Sequence, residues 1–172
     1  MAWWAWEDLV VLGWLALGPD APAVPGGGYR PRMELVDSID SFITVAPDST
    51  ASGAAVPRPR GDTPTVASAT FALVSEHPYR GRSSEVIFTV WADRQGIPET
   101  GREAAWAEFF DKSRACLRAS DLCKKFGWGI HADRDGRLAR YPVDSDTYRA
   151  LATGRTPDGR TVKVMAAMRS RR

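Results

Sequence analysis

Residues 126–143 constrain the fold most. Phe126, Trp128 and Ile130 alternate with Gly127, Gly129 and His131, and beyond Asp135-Gly136 a second stretch returns through Ala139, Arg140, Tyr141 and Val143. Two period-two segments around an Asp-Gly turn predict an antiparallel hairpin. A two-residue loop pairs Ile130 with Tyr141, and a four-residue loop pairs it with Ala139. Both registers place Ala139, Tyr141 and Val143 on the Trp128 face, because a slip of two preserves sidedness. Arg140 is then expected to share a face with His131 and the two glycines.

Strand and helix signals surround that hairpin. Residues 42–46 are β-rich and stop at Pro47-Asp48, and residues 50–60 read as a loop. Thr63 before Pro64 predicts a helix start, with Val66, Thr70, Leu73 and Val74 on its inner stripe. That helix should end near Glu76, since Pro78 disfavours α conformation at His77. Residues 84–91 alternate with both faces apolar, the pattern of a central strand covered on each side. Thr100 and Glu103 have capping-box spacing ahead of a second helix that carries Trp106, Phe109 and Phe110 inward. Asp144 or Ser145 caps a third helix with Tyr148 and Leu151 inward, Gly154 stops it, and residues 161–165 form a last strand. Few crossovers in this order force parallel pairing. The expectation is a single α+β domain, a small, mainly antiparallel sheet with about three helices. At 172 residues, 44% hydrophobic and 26% charged, the chain is long enough to build its own core.

Residues 1–32 read differently from the rest. Trp3, Trp4, Trp6 and Trp14 crowd their start, and the apolar run 9–17 follows Glu7 and Asp8 with no basic residue before it. A secretory signal needs a positive n-region and a membrane span needs about 20 apolar residues, so both readings fail. Residues 18–32 are Pro/Gly-rich, with a break at Gly26-Gly27-Gly28. Residues 1–32 are therefore expected to be a non-native or disordered N-terminal extension, and residues 33–172 the domain. The expected location is cytoplasmic, without a membrane span.

The net charge of +2 hides a split: residues 33–111 carry six Lys/Arg against twelve Asp/Glu, and residues 112–172 fifteen against six. A basic half can bind nucleic acid, but mutual neutralisation of the two halves is the plainer reading. Cys116 and Cys123, even with His77 and His131, match no zinc spacing, and no cofactor motif is present, so neither metal nor cofactor is expected. Cys116 with His77 or His131 could form a nucleophile pair, which would make a small enzyme. Packing of an ordinary thiol is the simpler role.

The preferred candidate site is the hairpin face. Lys125, Gly127, Gly129 and His131 fall on one side at period two, with Arg140 beside them, and glycines leave a floor a ligand can approach closely. Arg118 joins them as a further cation. Such a set suits a carboxylate or phosphate, with Arg as the bidentate partner. A second polar cluster gathers His77, Tyr79 and Arg80 at a helix exit, with Arg114. The leading functional expectation is binding of a small anionic ligand or a protein partner. Small-enzyme and nucleic-acid-binding readings stand as alternatives.

Five segments in order carry a resemblance: 42–48 (FITVAPD), 61–66 (GDTPTV), 77–80 (HPYR), 116–120 (CLRAS) and 127–131 (GWGIH). With these the chain resembles the uncharacterised bacterial and fungal family known as domain of unknown function 6157, over residues 38–171. The resemblance implies domain limits that leave out residues 1–32, and it implies no activity. Where the family pattern tends to read Ser-Pro-Leu-Pro-Lys, this chain has Ser120-Asp121-Leu122-Cys123-Lys124, which argues against a catalytic or metal role for Cys123.

Overall fold

The computed structural model describes residues 33–170; the expected extension, residues 1–32, lies outside the described residues. Strands β1 (Ser41–Thr44), β2 (Trp128–Ala132), β3 (Leu138–Pro142) and β4 (Lys163–Ala166) form one sheet in the order β3-β2-β1-β4. Among the described residues, five α-helices accompany it: α1 (Val66–Glu76), α2 (Ser83–Gln95), α3 (Arg102–Phe110), α4 (Asp121–Lys125) and α5 (Asp146–Ala152). The fold class is α+β, as expected. The sheet, however, is mixed rather than mainly antiparallel, and the helices number five rather than three. β1 runs antiparallel to β2 but parallel to β4. The parallel pair arises because α5 carries the chain from β3 across β2 and β1 to the far edge, a crossover of the βαβ kind. Among the described residues, no helix is long and apolar enough to cross a membrane.

Residues 83–95 are the main local correction. They form α2, not a central strand, and the apolar residues on all sides are those of a buried helix. Val86 packs into the core under the sheet, while Phe88 and Ala92 face Trp106 and Phe109 of α3. Glu85 reaches back to the Arg82 N–H, and Gly96 closes the helix in the left-handed conformation. Helix α1 starts two residues later than expected. Thr65, not Thr63, caps it, its hydroxyl accepting from the Ser68 N–H at 3.1 Å. Thr63 instead pairs with Arg60 across a tight turn. The Thr100–Glu103 capping box does not form; a 3-10 turn at Glu99–Gly101 leads into α3. Ser145 caps α5 as expected, with Tyr148 and Leu151 buried.

The two faces of the sheet have different covers. Ile43, Trp128, Ile130, Ala132 and Leu138 meet α1, α2 and α4 through Val74, Val86, Leu122 and Cys123. On the other face Phe42 packs with Tyr148, Leu151 and Val162, with Tyr141 at the margin. Gly129 makes that second cover possible. A Cβ there would stand 2.4 Å from the Phe42 ring and 2.7 Å from that of Tyr148, closer than carbon atoms approach. The glycine is a packing notch beneath α5, where a ligand floor was expected.

Gly129→Ala should therefore cost stability at the upper end of the roughly 1–3 kcal/mol typical of overpacking. Chemical denaturation measures it. A loss below about 0.5 kcal/mol, the scale of an indifferent surface change, would show that Phe42 and Tyr148 move aside freely.

Candidate functional site

The hairpin turn decides what can meet what. The Asp133 N–H donates to the Arg137 carbonyl at 3.0 Å, leaving a three-residue loop, Arg134-Asp135-Gly136. The Gly136 N–H bonds the Asp133 carbonyl, the Asp133 carboxylate accepts from the Asp135 and Arg137 N–H groups, and Gly136 takes φ +76°. This is a type I turn followed by a left-handed residue, the common three-residue hairpin. It pairs Ile130 with Arg140 and His131 with Ala139. The expected register is thus shifted by one, and every β3 side chain changes face. Arg140 lies beside Trp128, while Ala139 and Tyr141 lie with Gly129 and His131.

The residues expected to converge are accordingly separated. Lys125 ends α4 rather than continuing the strand, and its ammonium pairs with Asp121 at 3.1 Å. Gly127 lies under the Gly53–Ala54 backbone, where a Cβ would meet the Gly53 carbonyl at 2.3 Å. Arg118 donates to the Ala166 carbonyl at 2.9 Å, fastening the β4 end of the sheet. Arg114 donates to the Phe109 carbonyl and lies over the Phe109 ring. Arg80 is exposed. Leu117, next to Cys116, packs on the face opposite His131. Cys123 is fully buried, and burial pushes its thiol up to about 12, so it stays protonated.

Two constellations do form at the β3 edge. In the first, Tyr79 links the two expected clusters. His77–Arg80 is a turn with Pro78 second and Tyr79 third, closed by the Arg80 N–H to the His77 carbonyl at 3.2 Å. The third residue has φ +60°, a conformation glycine normally takes. That geometry sends the Tyr79 phenol round the edge strand, to 2.8 Å from both His131 Nδ1 and the Tyr141 hydroxyl. Tyr79 is half-buried, and His131 is only 4% exposed. Burial raises the Tyr79 phenol and lowers the His131 imidazole, with Arg160 adding to the latter and Asp133, Asp40 and Asp158 opposing it. Tyr79 and His131 are therefore neutral near pH 7, and His131 supplies no positive charge to an anion.

The second constellation holds a cation. The Arg140 guanidinium lies over two touching rings, 4.1 Å from the Phe71 centroid and 4.0 Å from that of Trp128, the two centroids being 5.3 Å apart. Its Nε donates to the Ser75 hydroxyl, which in turn donates to the Phe71 carbonyl one turn back in α1. Among the described residues, no carboxylate pairs with it. It borders a groove of about 250 Å³ lined by Val74, Ser75, Pro78, Tyr79, Ala139 and Tyr141. Phe71 and Ser75 escaped the sequence reading. The spacing of four on an amphipathic helix was their only signal. The three-residue turn was legible in Asp133 and Gly136, which suit the first and fourth positions of a type I turn.

A family model described as a family of unknown function (DUF6157) matches residues 33–172. No curated protein and no solved structure matches the chain.

Tyr79→Phe removes the hydroxyl and leaves buried His131 Nδ1 unpartnered, which should cost about 1–3 kcal/mol; an unchanged denaturation midpoint would contradict the triad. His131 also gives stability a pH dependence. Its pKa in the folded chain lies below the ordinary 6.5, so below that value the unfolded chain binds a proton that the folded chain refuses. This contribution is complete above 6.5 and is lost as pH falls from there through the lower folded value. Melting curves taken from neutral to mildly acidic pH should show that loss, reduced in His131→Gln. Identical acid sensitivity in the two chains would assign the effect elsewhere.

Proposed function

The chain belongs to the family of unknown function DUF6157, and from the groove at its sheet edge we propose that it binds a small organic anion. One observation carries the reading: among the described residues Arg140 has no carboxylate partner, yet its guanidinium is held on the Phe71 and Trp128 ring faces and by Ser75 beside a groove. Holding an arginine over two ring faces by a hydrogen bond to Ser75 removes side-chain freedom before any ligand arrives, so less entropy is lost on binding. Partial burial strips water from the cation and lowers its pKa somewhat, and that cost is recovered when an anion supplies hydrogen bonds. Tyr79 and Tyr141 add hydroxyls at the same groove, able to donate to or accept from the ligand. Of the earlier candidates, Arg140 is retained as the binding cation. Lys125 and Arg118, already engaged elsewhere, are not.

The alternatives draw less support. Nucleophilic catalysis by Cys116 with His131 would have to join His131 to a residue whose neighbour, Leu117, packs on the opposite face of the sheet. Nucleic-acid binding would need the basic residues of the second half to form a free stripe. Lys125, Arg149 and Arg160 instead pair with Asp121, Asp146 and Asp158.

Titration of the full chain with benzoate and with inorganic phosphate, followed by NMR of the arginine Nε–H groups, tests the proposal. Arg140 should shift with at least one of them. Arg140→Gln should weaken that binding about tenfold or more, the effect of losing a charge-assisted hydrogen bond, while the chain stays folded. An Arg140 signal unmoved by either anion, or equal affinity in Arg140→Gln, would refute it.

A further inference from the structure

The backbone of Arg140 narrows the class of ligand. In an antiparallel ladder, successive residues direct their N–H and C=O groups alternately toward one neighbour and away from it. Val143 donates to the Gly127 carbonyl and Asp133 to that of Arg137, which fixes Gly129–Tyr141 and His131–Ala139 as the bonded pairs between them. Leu138, Arg140 and Pro142 therefore turn their backbone groups outward, to the free edge of the sheet. Two of the three are already closed. The Leu138 N–H bonds the Gly81 carbonyl at 2.9 Å and its carbonyl takes the Tyr79 N–H at 2.7 Å. Pro142 has no N–H, and its carbonyl accepts from the Ser145 N–H at 3.0 Å and hydroxyl at 2.7 Å. Among the described residues, neither backbone group of Arg140 is taken up. The open edge is one residue long, and it borders the groove.

We infer, resting on the anion-binding reading above, that the groove takes a carboxylate bearing one adjacent secondary amide, an N-acylated amino acid. A single residue lying antiparallel to Arg140 would donate its N–H to the Arg140 carbonyl and accept the Arg140 N–H on its carboxyl oxygen. The guanidinium supplies the opposite charge. Val74, Pro78 and Ala139 offer apolar lining for a short side chain or acyl group. The volume of about 250 Å³ accommodates a ligand of this size. A simple carboxylate without an amide leaves the Arg140 carbonyl unbonded. An extended peptide strand is stopped at Leu138 on one side and Pro142 on the other.

The test compares three probes on the full chain by NMR titration: N-acetylleucine, its ester counterpart 2-acetoxy-4-methylpentanoate, and acetyl-tetraalanine. N-acetylleucine should bind at least about fivefold more tightly than the ester, the effect of one hydrogen bond. It should also shift the backbone amide of Arg140 and slow its hydrogen exchange. Equal affinity of amide and ester, with Arg140 shifted by both, overturns the amide requirement and leaves the anion site standing. No response of Arg140 to either carboxylate overturns this inference and the anion site for carboxylates together. Binding of the tetrapeptide about tenfold or more tighter than N-acetylleucine overturns the one-residue window in favour of strand addition.

Discussion

The Asp133 carboxylate closes the β2–β3 turn by accepting from the Asp135 and Arg137 N–H groups, and the register of the hairpin follows from that closure. With three residues in the loop, Ile130 lies opposite Arg140, and sidedness along β3 is set for the whole strand. Tyr141 is directed to His131 and Arg140 to Trp128. The edge positions Leu138, Arg140 and Pro142 turn outward together. One residue more or fewer in this loop would exchange the two faces, pairing a cation with Tyr79 and His131 and a phenol with the Phe71 and Trp128 rings.

Around that register the protein keeps charge and neutrality apart. On the face covered by α5, Tyr79, Tyr141 and His131 satisfy one another by hydrogen bonds, which suits a buried position. On the opposite side, Arg140 keeps its charge because Phe71 and Trp128 offer ring faces in place of water. Tyr79 joins the two by crossing the edge strand in a left-handed conformation. For a bulky residue that costs about 1–2 kcal/mol relative to glycine, and strain of this kind gathers where a side chain must be placed. Here it delivers a hydroxyl to His131 and a wall to the groove.

Much of the fold was legible in the residues that carry local signals. The stop near Glu76, the Ser145 cap, the buried Tyr148 and Leu151, and the last strand all rest on short-range chemistry. Residues 83–95 were misread because a helix buried on two sides shows no amphipathic stripe, and its β-branched Val86, Ile87 and Val90 imitate a covered strand. The capping signal at Glu85 and the left-handed stop at Gly96 pointed the other way. The parallel β1–β4 pairing was not legible, because it depends on how far the α5 crossover travels. At the site, Arg140 was legible as the cation, but its surroundings depended on a one-residue difference in loop length. The Gly127–Gly129 pair was read as an open floor, although glycines equally admit a covering ring or backbone, which is their use here.

Cross-strand nuclear Overhauser effects test the register most directly, since non-hydrogen-bonded antiparallel pairs bring their α-carbons to about 4.5 Å. A strong effect between the Hα protons of Ile130 and Arg140 is expected, together with Arg140 side-chain protons shifted upfield by the Phe71 and Trp128 rings. Effects linking Ile130 Hα with Tyr141 or Ala139 instead, with unshifted Arg140 protons, would place the guanidinium on the other face and contradict the account.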